Sequence, residues 1–229
     1  MNRLSVSMNR NELRFGWLYY PIQFLFLPFL IEFVFENAGF PLSSAWLNTL
    51  YFILNFCFIL LIFSKFLKKN LKVAVHKPFI CLLFAVAGVF AYMMLGELVG
   101  LLILKLKPDF FNVNDSYINQ MVKENPVFLP LAIIFLVPVA EEALYRGLMF
   151  GTIYNRNKVL AFTISTLVFA AIHVIGYIGH YPPSHLALCL LQYLPAGITF
   201  GLVYAITDTI WTPILMHIFI NAIGMLSMR

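Results

Sequence analysis

Residues 127–151 read VFLPLAIIFLVPVAEEALYRGLMFG, and their reading decides the fold. The run is long enough to cross a bilayer, whose hydrocarbon core takes about 20 apolar residues as a helix. Yet it carries Glu141, Glu142 and Arg146. At mid-span a charge of this kind costs about 2.5–3.5 kcal/mol on insertion scales, so such groups need partners and a purpose. Glu142 and Arg146 stand four residues apart on one helical face, acid before base, the order an ion pair on a helix favours. Glu141 is turned about 100° away and has no local cation. It is therefore expected to face the inside of a helical bundle. Pro138 removes a backbone donor and is expected to bend the helix, releasing a carbonyl at the same depth.

The rest of the chain agrees with a membrane setting. Of 229 residues, 62% are hydrophobic and 11% charged, where a soluble domain carries about 25% charged residues. So apolar a surface is solvated by lipid, and the fold class is all-α, a polytopic transmembrane bundle. Apolar stretches give seven candidate spans near 15–35, 46–63, 79–104, 127–151, 159–179, 186–206 and 211–228. A re-entrant piece in 105–126 would make an eighth. The run after Arg14 is too long for a signal peptide and lacks a small-x-small cleavage site, so it is expected to be a retained helix. Arg3, Arg10, Arg14, Lys65, Lys68, Lys69, Lys72, Lys77, Arg156 and Lys158 fall on one side of these spans. Lys105, Lys107, Lys123 and Arg229 fall on the other. The bias puts the N-terminus in the cytoplasm. The net charge of +5 is thus read as topology, not as a nucleic-acid surface. The basic run at 64–72 is likewise read as a topology-setting loop, with anionic lipid as the alternative partner. Cys57, Cys81 and Cys189 sit in apolar runs without pairing motifs and read as reduced, packed thiols.

Two further spans bring polar groups to lipid depth. Phe169-Ala-Ala-Ile-His173 places a ring and an imidazole on one face, and His217-Ile-Phe-Ile-Asn221 pairs an imidazole with an amide. Either His alone reads best as a core residue with a satisfied hydrogen bond. Together with a spare carboxylate they form a set suited to proton transfer, metal binding or oxyanion support. Glu97 and Gln192 read as interhelical hydrogen-bonding residues, with Glu97 a further candidate for the site. His180 and His185, flanking Pro182-Pro183, read as solvated loop residues. Asp208 in Thr-Asp-Thr reads as a cap for the helix that follows.

The series Glu141-Glu142-x-x-x-Arg146, Phe169-x-x-x-His173 and His217-x-x-x-Asn221 resembles the three-motif signature of the CPBP intramembrane proteases. That group is also called Abi, or the type II CAAX-prenyl endopeptidases. The likeness covers about 130–229 and includes Phe200-Gly-Leu-Val-Tyr204 and Pro213-Ile-Leu-Met-His217. It implies N-terminal helices over 1–126 and a catalytic core over 127–229, hydrolysing a peptide bond of a membrane-associated or exported peptide or protein. By resemblance, Glu141 activates water, Glu142 holds Arg146, His173 positions the water, and His217 and Asn221 support the oxyanion. Phe169 and Arg146 are support. Glu141, His173 and His217 would also make a His₂Glu zinc set. The His-Glu-x-x-His helix of common zinc peptidases is absent, so zinc and a metal-free mechanism both stay open. The short loops look prokaryotic, which implies a plasma-membrane protein and substrates other than prenylated ones. Two other readings are a non-catalytic bacteriocin self-immunity or scaffold protein, and an ion-coupled transporter. No internal repeat supports the transporter.

Overall fold

The computed structural model describes residues 3–227. Among these are nine helices and no β-strand. They are α1 (Arg10–Leu25), α2 (Leu27–Asn37), α3 (Ser44–Val75), α4 (Pro78–Leu106), α5 (Val113–Glu124), α6 (Phe128–Tyr154), α7 (Lys158–Ile172), α8 (Pro183–Thr207) and α9 (Trp211–Ser227). The bundle is an integral membrane protein. α3, α4, α6 and α8 are each long and apolar enough to cross a bilayer. α1 and α2 pass that test only as a pair bent by 52°. The break falls at Phe26, where Pro28 stands at the start of α2 and has no N–H to continue the ladder.

The seven expected spans are thus four long helices and one broken pair, with α7 and α9 as shorter apolar helices. The expected span at 159–179 ends at Ile172, and a 3₁₀ turn at Ile175–Tyr177 follows. Segment 105–126 contains the polar helix α5, which is not among the helices apolar enough to span. Arg229, counted toward orientation, lies outside the described residues.

Two layers follow from burial. The central helices α6 and α8 have 56% and 50% of their apolar windows buried, against 28% for α3 and 22% for α4. α3 and α4 therefore turn rows of Phe and Leu outward, with Leu61 and Phe79 among the most exposed side chains. α8 packs on α7 and α4, and α9 on α4 and the first half of α6. The α7–α8 contact is close because Gly197 lacks a Cβ: one built there would stand 2.9 Å from the Thr166 Cα.

The N-terminal segment is pinned into this bundle. Leu4 and Met8 are buried, the Leu4 N–H donates to Asn155 Oδ1 at 2.9 Å, and Ser5 donates to the Asp208 carboxylate through both N–H and hydroxyl. Asp208 itself ends α8 in the left-handed region (φ 52°). The cap expected of it on α9 is not what it does. Glu12 closes a capping box with Asn9 and also accepts the Phe66 N–H at 2.7 Å. That bond lies just beyond the break in α3 at Phe63. A side chain inserted into the helix ladder is a recognised cause of such bends.

Gly197→Ala is expected to destabilise the protein by about 1–3 kcal/mol, because backbone rather than a flexible side chain opposes the new methyl. Gly96→Ala, with nothing within 4 Å of its added methyl, is expected to stay within about 0.5 kcal/mol of the parent. Thermal unfolding of the two variants in detergent compares them directly.

Candidate active site

The site begins with how α6 is wound. Two stretches, Ala132–Leu136 and Ala143–Phe150, are π-helical, and Glu141 and Glu142 sit in the turn between them. Such insertions recur at functional sites because they break the ordinary ladder. In the first stretch the Val137 N–H bonds to Ala132 O, five residues back. In that register the next carbonyl, Ile133 O, would need the N–H of Pro138, which has none. Asn221 of α9 supplies the missing donor, its Nδ2 lying 2.8 Å from Ile133 O. This is the released carbonyl expected of Pro138. In the second stretch Ser165 of α7 donates to Tyr145 O at 2.9 Å.

One carboxylate oxygen organises the charges. Glu142 Oε1 accepts from Arg146 Nη1 at 3.0 Å and from His217 Nδ1 at 3.1 Å. Glu142 and Arg146 are both fully buried. The guanidinium lies over two rings, 4.3 Å from the Phe169 centroid and 4.8 Å from that of Phe200, and reaches Gly197 O at 3.4 Å. Desolvated cation–π contacts of this kind are worth about 2 kcal/mol. His217 stacks on Phe200 at 4.6 Å. Since an ionised carboxylate only accepts, His217 Nδ1 carries a proton, and in the neutral form of the ring Nε2 is the lone-pair nitrogen. That nitrogen lies 4.0 Å from Glu141 Oε2, an oxygen that is buried and has no hydrogen-bond partner.

Glu141 faces a cavity of about 520 Å³, within the usual range for ligand sites, together with His173, Tyr193, His217 and Asn221. His173 is the residue that ends α7, not a residue of the helix body. Its Nδ1 pairs with Phe169 O at 2.8 Å, so Nδ1 is the donor. Its ring stacks on Tyr193 at 4.2 Å. All five site residues named from sequence thus converge, with Arg146 and Phe169 behind them. Glu142 holds more than Arg146: it also fixes His217. Asn221 spends one amide hydrogen on Ile133.

Other expectations change. Glu97 is exposed and does not line the cavity. His185 is buried, not solvated, held by Lys107 Nζ at 2.8 Å and Phe111 O at 3.0 Å. Gln192 accepts from Asn112 at 2.8 Å. Sequence reasoning missed Tyr193 and its partners Asn114 and Asp115 on α5. The signal present was the polar run Asn112–Asp115 standing between apolar stretches, within the segment considered only as a re-entrant piece.

The zinc set does not fit this arrangement. Among the described residues no three of His, Cys, Asp or Glu are placed to share an ion.

A lipid-embedded helical bundle with a buried acid–imidazole site is the class these observations define. Residues 123–223 match the family described as "Type II CAAX prenyl endopeptidase Rce1-like", a stretch that contains every residue of the site. Over this region the chain is similar to the CPBP family. It is 29% identical to "Putative membrane peptidase YdiL" of Bacillus subtilis (strain 168) over 145 residues, 61% of this chain and 53% of that protein. The match thus spans about half the length of that relative. It is 28% identical to "UPF0177 protein YxdF" of Lactococcus lactis subsp. lactis (strain IL1403) over 137 residues, 59% of this chain and 71% of that protein. No solved structure matches the chain.

Arg146→Met alone strands Glu142 in the core and is expected to cost about 3–5 kcal/mol. The double variant Glu142→Met with Arg146→Met removes both charges and is expected to recover at least half of that loss, as read by thermal unfolding. A double variant no more stable than Arg146→Met would contradict the pairing.

Proposed function

We propose that the protein is an intramembrane endopeptidase that uses Glu141 as general base on a water molecule. The supporting observation is the unpartnered Glu141 Oε2 set 4.0 Å from His217 Nε2 inside the cavity. A water bonded to both atoms at about 2.8 Å fits between them at an angle of about 90°. Glu141 takes one proton as the water oxygen attacks the scissile carbonyl, and the His217 lone pair holds the other. Water at neutral pH is a poor nucleophile, so a positioned base of this kind is worth about 10²–10⁴ in rate.

The negative charge that develops on the carbonyl oxygen needs donors already in place. Asn221 keeps one amide hydrogen uncommitted on the cavity wall, and Ile133 O holds the amide in orientation. His173 lines the same cavity, and with its proton on Nδ1 its Nε2 is an acceptor that can help hold the attacking water. On collapse, the C–N bond breaks and Glu141 returns its proton to the leaving amine. The water's second proton passes from the new carboxyl group by way of His217 Nε2 to the amine, giving a carboxylate and an ammonium. Glu142 and Arg146 position His217 and do not touch the substrate. The substrate class is a membrane-associated or exported peptide or protein, reached from within the bilayer. The complete acid–imidazole–amide set favours catalysis over a non-catalytic immunity or scaffold role, which has no use for an unpartnered carboxylate beside two imidazoles.

Glu141→Gln keeps shape and burial, so it is expected to insert and unfold like the parent while cleavage falls by about 10²–10⁴. The check is a peptide-level comparison of membranes and secreted peptides from cells carrying each form. Identical peptide profiles in the two would defeat the proposal.

A further inference from the structure

The cavity that holds Glu141 continues to a second carboxylate. Asp115, in the first turn of α5, lines the same space, and no Lys or Arg is among its described lining residues. One Asp115 oxygen accepts the Tyr193 hydroxyl at 3.0 Å. No cation among the described residues lies within salt-bridge distance of it, in contrast to Glu142. Tyr193 and Asn114, joined at 3.1 Å, brace the carboxylate from the side. Burial raises the Asp115 carboxyl above its ordinary range, with hydrogen bonds from Tyr193 and Asn114 acting the other way. A counter-charge would offset that burial. Asp115 also lines a second cavity of about 360 Å³, where Asn112, Ser116, Asn119 and Gln192 face Ile103, Leu104, Phe110 and Phe111.

Asp115 therefore stands at the junction between a mostly apolar cleft and a smaller cavity of mixed lining. A cleft whose charged lining is of one sign, with low-dielectric walls, attracts the opposite charge strongly. Tyr51, Tyr92 and Tyr145 in the same lining add ring surfaces on which a cation can rest. The placement suits a chain that is apolar where it crosses Glu141 and basic where it leaves the bilayer. Basic side chains at membrane boundaries extend their charge toward water along an apolar stem in just this way.

We propose that Asp115 is the specificity residue of a subsite for a basic side chain, guanidinium or ammonium, at the flank of the substrate's apolar segment. The inference rests on the peptidase reading for what the cleft holds, but it is tested by binding alone. The protein is reconstituted in nanodiscs as Glu141→Gln, so that no probe is cut. The probes are N-acetylated apolar peptides that differ at one flanking position: arginine, lysine or the uncharged citrulline.

The arginine and lysine peptides are expected to bind about tenfold tighter than the citrulline peptide. Adding Asp115→Asn should bring the ratio to about one while the citrulline peptide binds as before, and Asp115→Glu should retain the preference. Equal binding of the three peptides, absence of binding, or a preference that survives Asp115→Asn would overturn the subsite. So would a cationic preference seen only when the N-terminus is left free, since that would assign the charge to the chain end. Loss of cleavage in Glu141→Gln cells is read separately, so the peptidase reading and the subsite stand or fall by different results.

Discussion

A single carboxylate oxygen holds this protein's interior together. Glu142 Oε1 takes a hydrogen bond from Arg146 on its own helix and another from His217 on α9. The guanidinium is in turn pressed between Phe169 of α7 and Phe200 of α8 and touches Gly197 O. Four helices meet at one ion pair. In so dry a setting each charge is tolerable only with the other present, and removal of one partner strands a buried charge. The packing around it is correspondingly tight, with α7 and α8 brought to contact distance at Gly197. The same oxygen that satisfies Arg146 fixes which nitrogen of His217 faces Glu141. Structural stability and the presentation of the candidate site are thus one arrangement.

The second constraint is the winding of α6. A regular α-helix satisfies its own backbone and leaves no acceptor for a neighbour to grasp. The π stretches on either side of Glu141–Glu142 change that. One presents Ile133 O to Asn221 and the other presents Tyr145 O to Ser165. Pro138 makes the first release unavoidable, since the donor the π register calls for does not exist. These side-chain bonds fix α6 against α9 and α7 at the depth of the carboxylates. Glu141 is left as the one acid of the motif not consumed by structure.

Much of this was legible before any coordinates. The i, i+4 spacing of Glu142 and Arg146 announced their pair, and the lack of a cation near Glu141 announced its freedom. Pro138 announced a loose carbonyl, though not which residue would take it. Glu142's bond to His217 was not legible, because it depends on how α9 is rotated against α6. The true end of α7 was hidden because residues 173–179 continue the apolar pattern past the turn. His185 looked solvated beside two prolines, yet Lys107 and Phe111, far away in sequence, enclose it. Tyr193 gave no signal of its own, since a Tyr in an apolar helix is ordinary, and Asp115 gave only that of a short polar run between apolar stretches. Only the long-range meeting of α5 with α8 makes them neighbours of His173.

Glu142 sets the tautomer of His217 so that its lone pair faces Glu141. That can be read directly with ¹⁵N-histidine-labelled protein in nanodiscs, at a pH where the ring is neutral, with the His217 signals identified by their loss in His217→Gln. A protonated Nδ1 and a bare Nε2 are expected in the parent, with loss of that fixed tautomer in Glu142→Met combined with Arg146→Met, which removes the acceptor. A proton on Nε2 in the parent, or an unchanged His217 in that double variant, would contradict it.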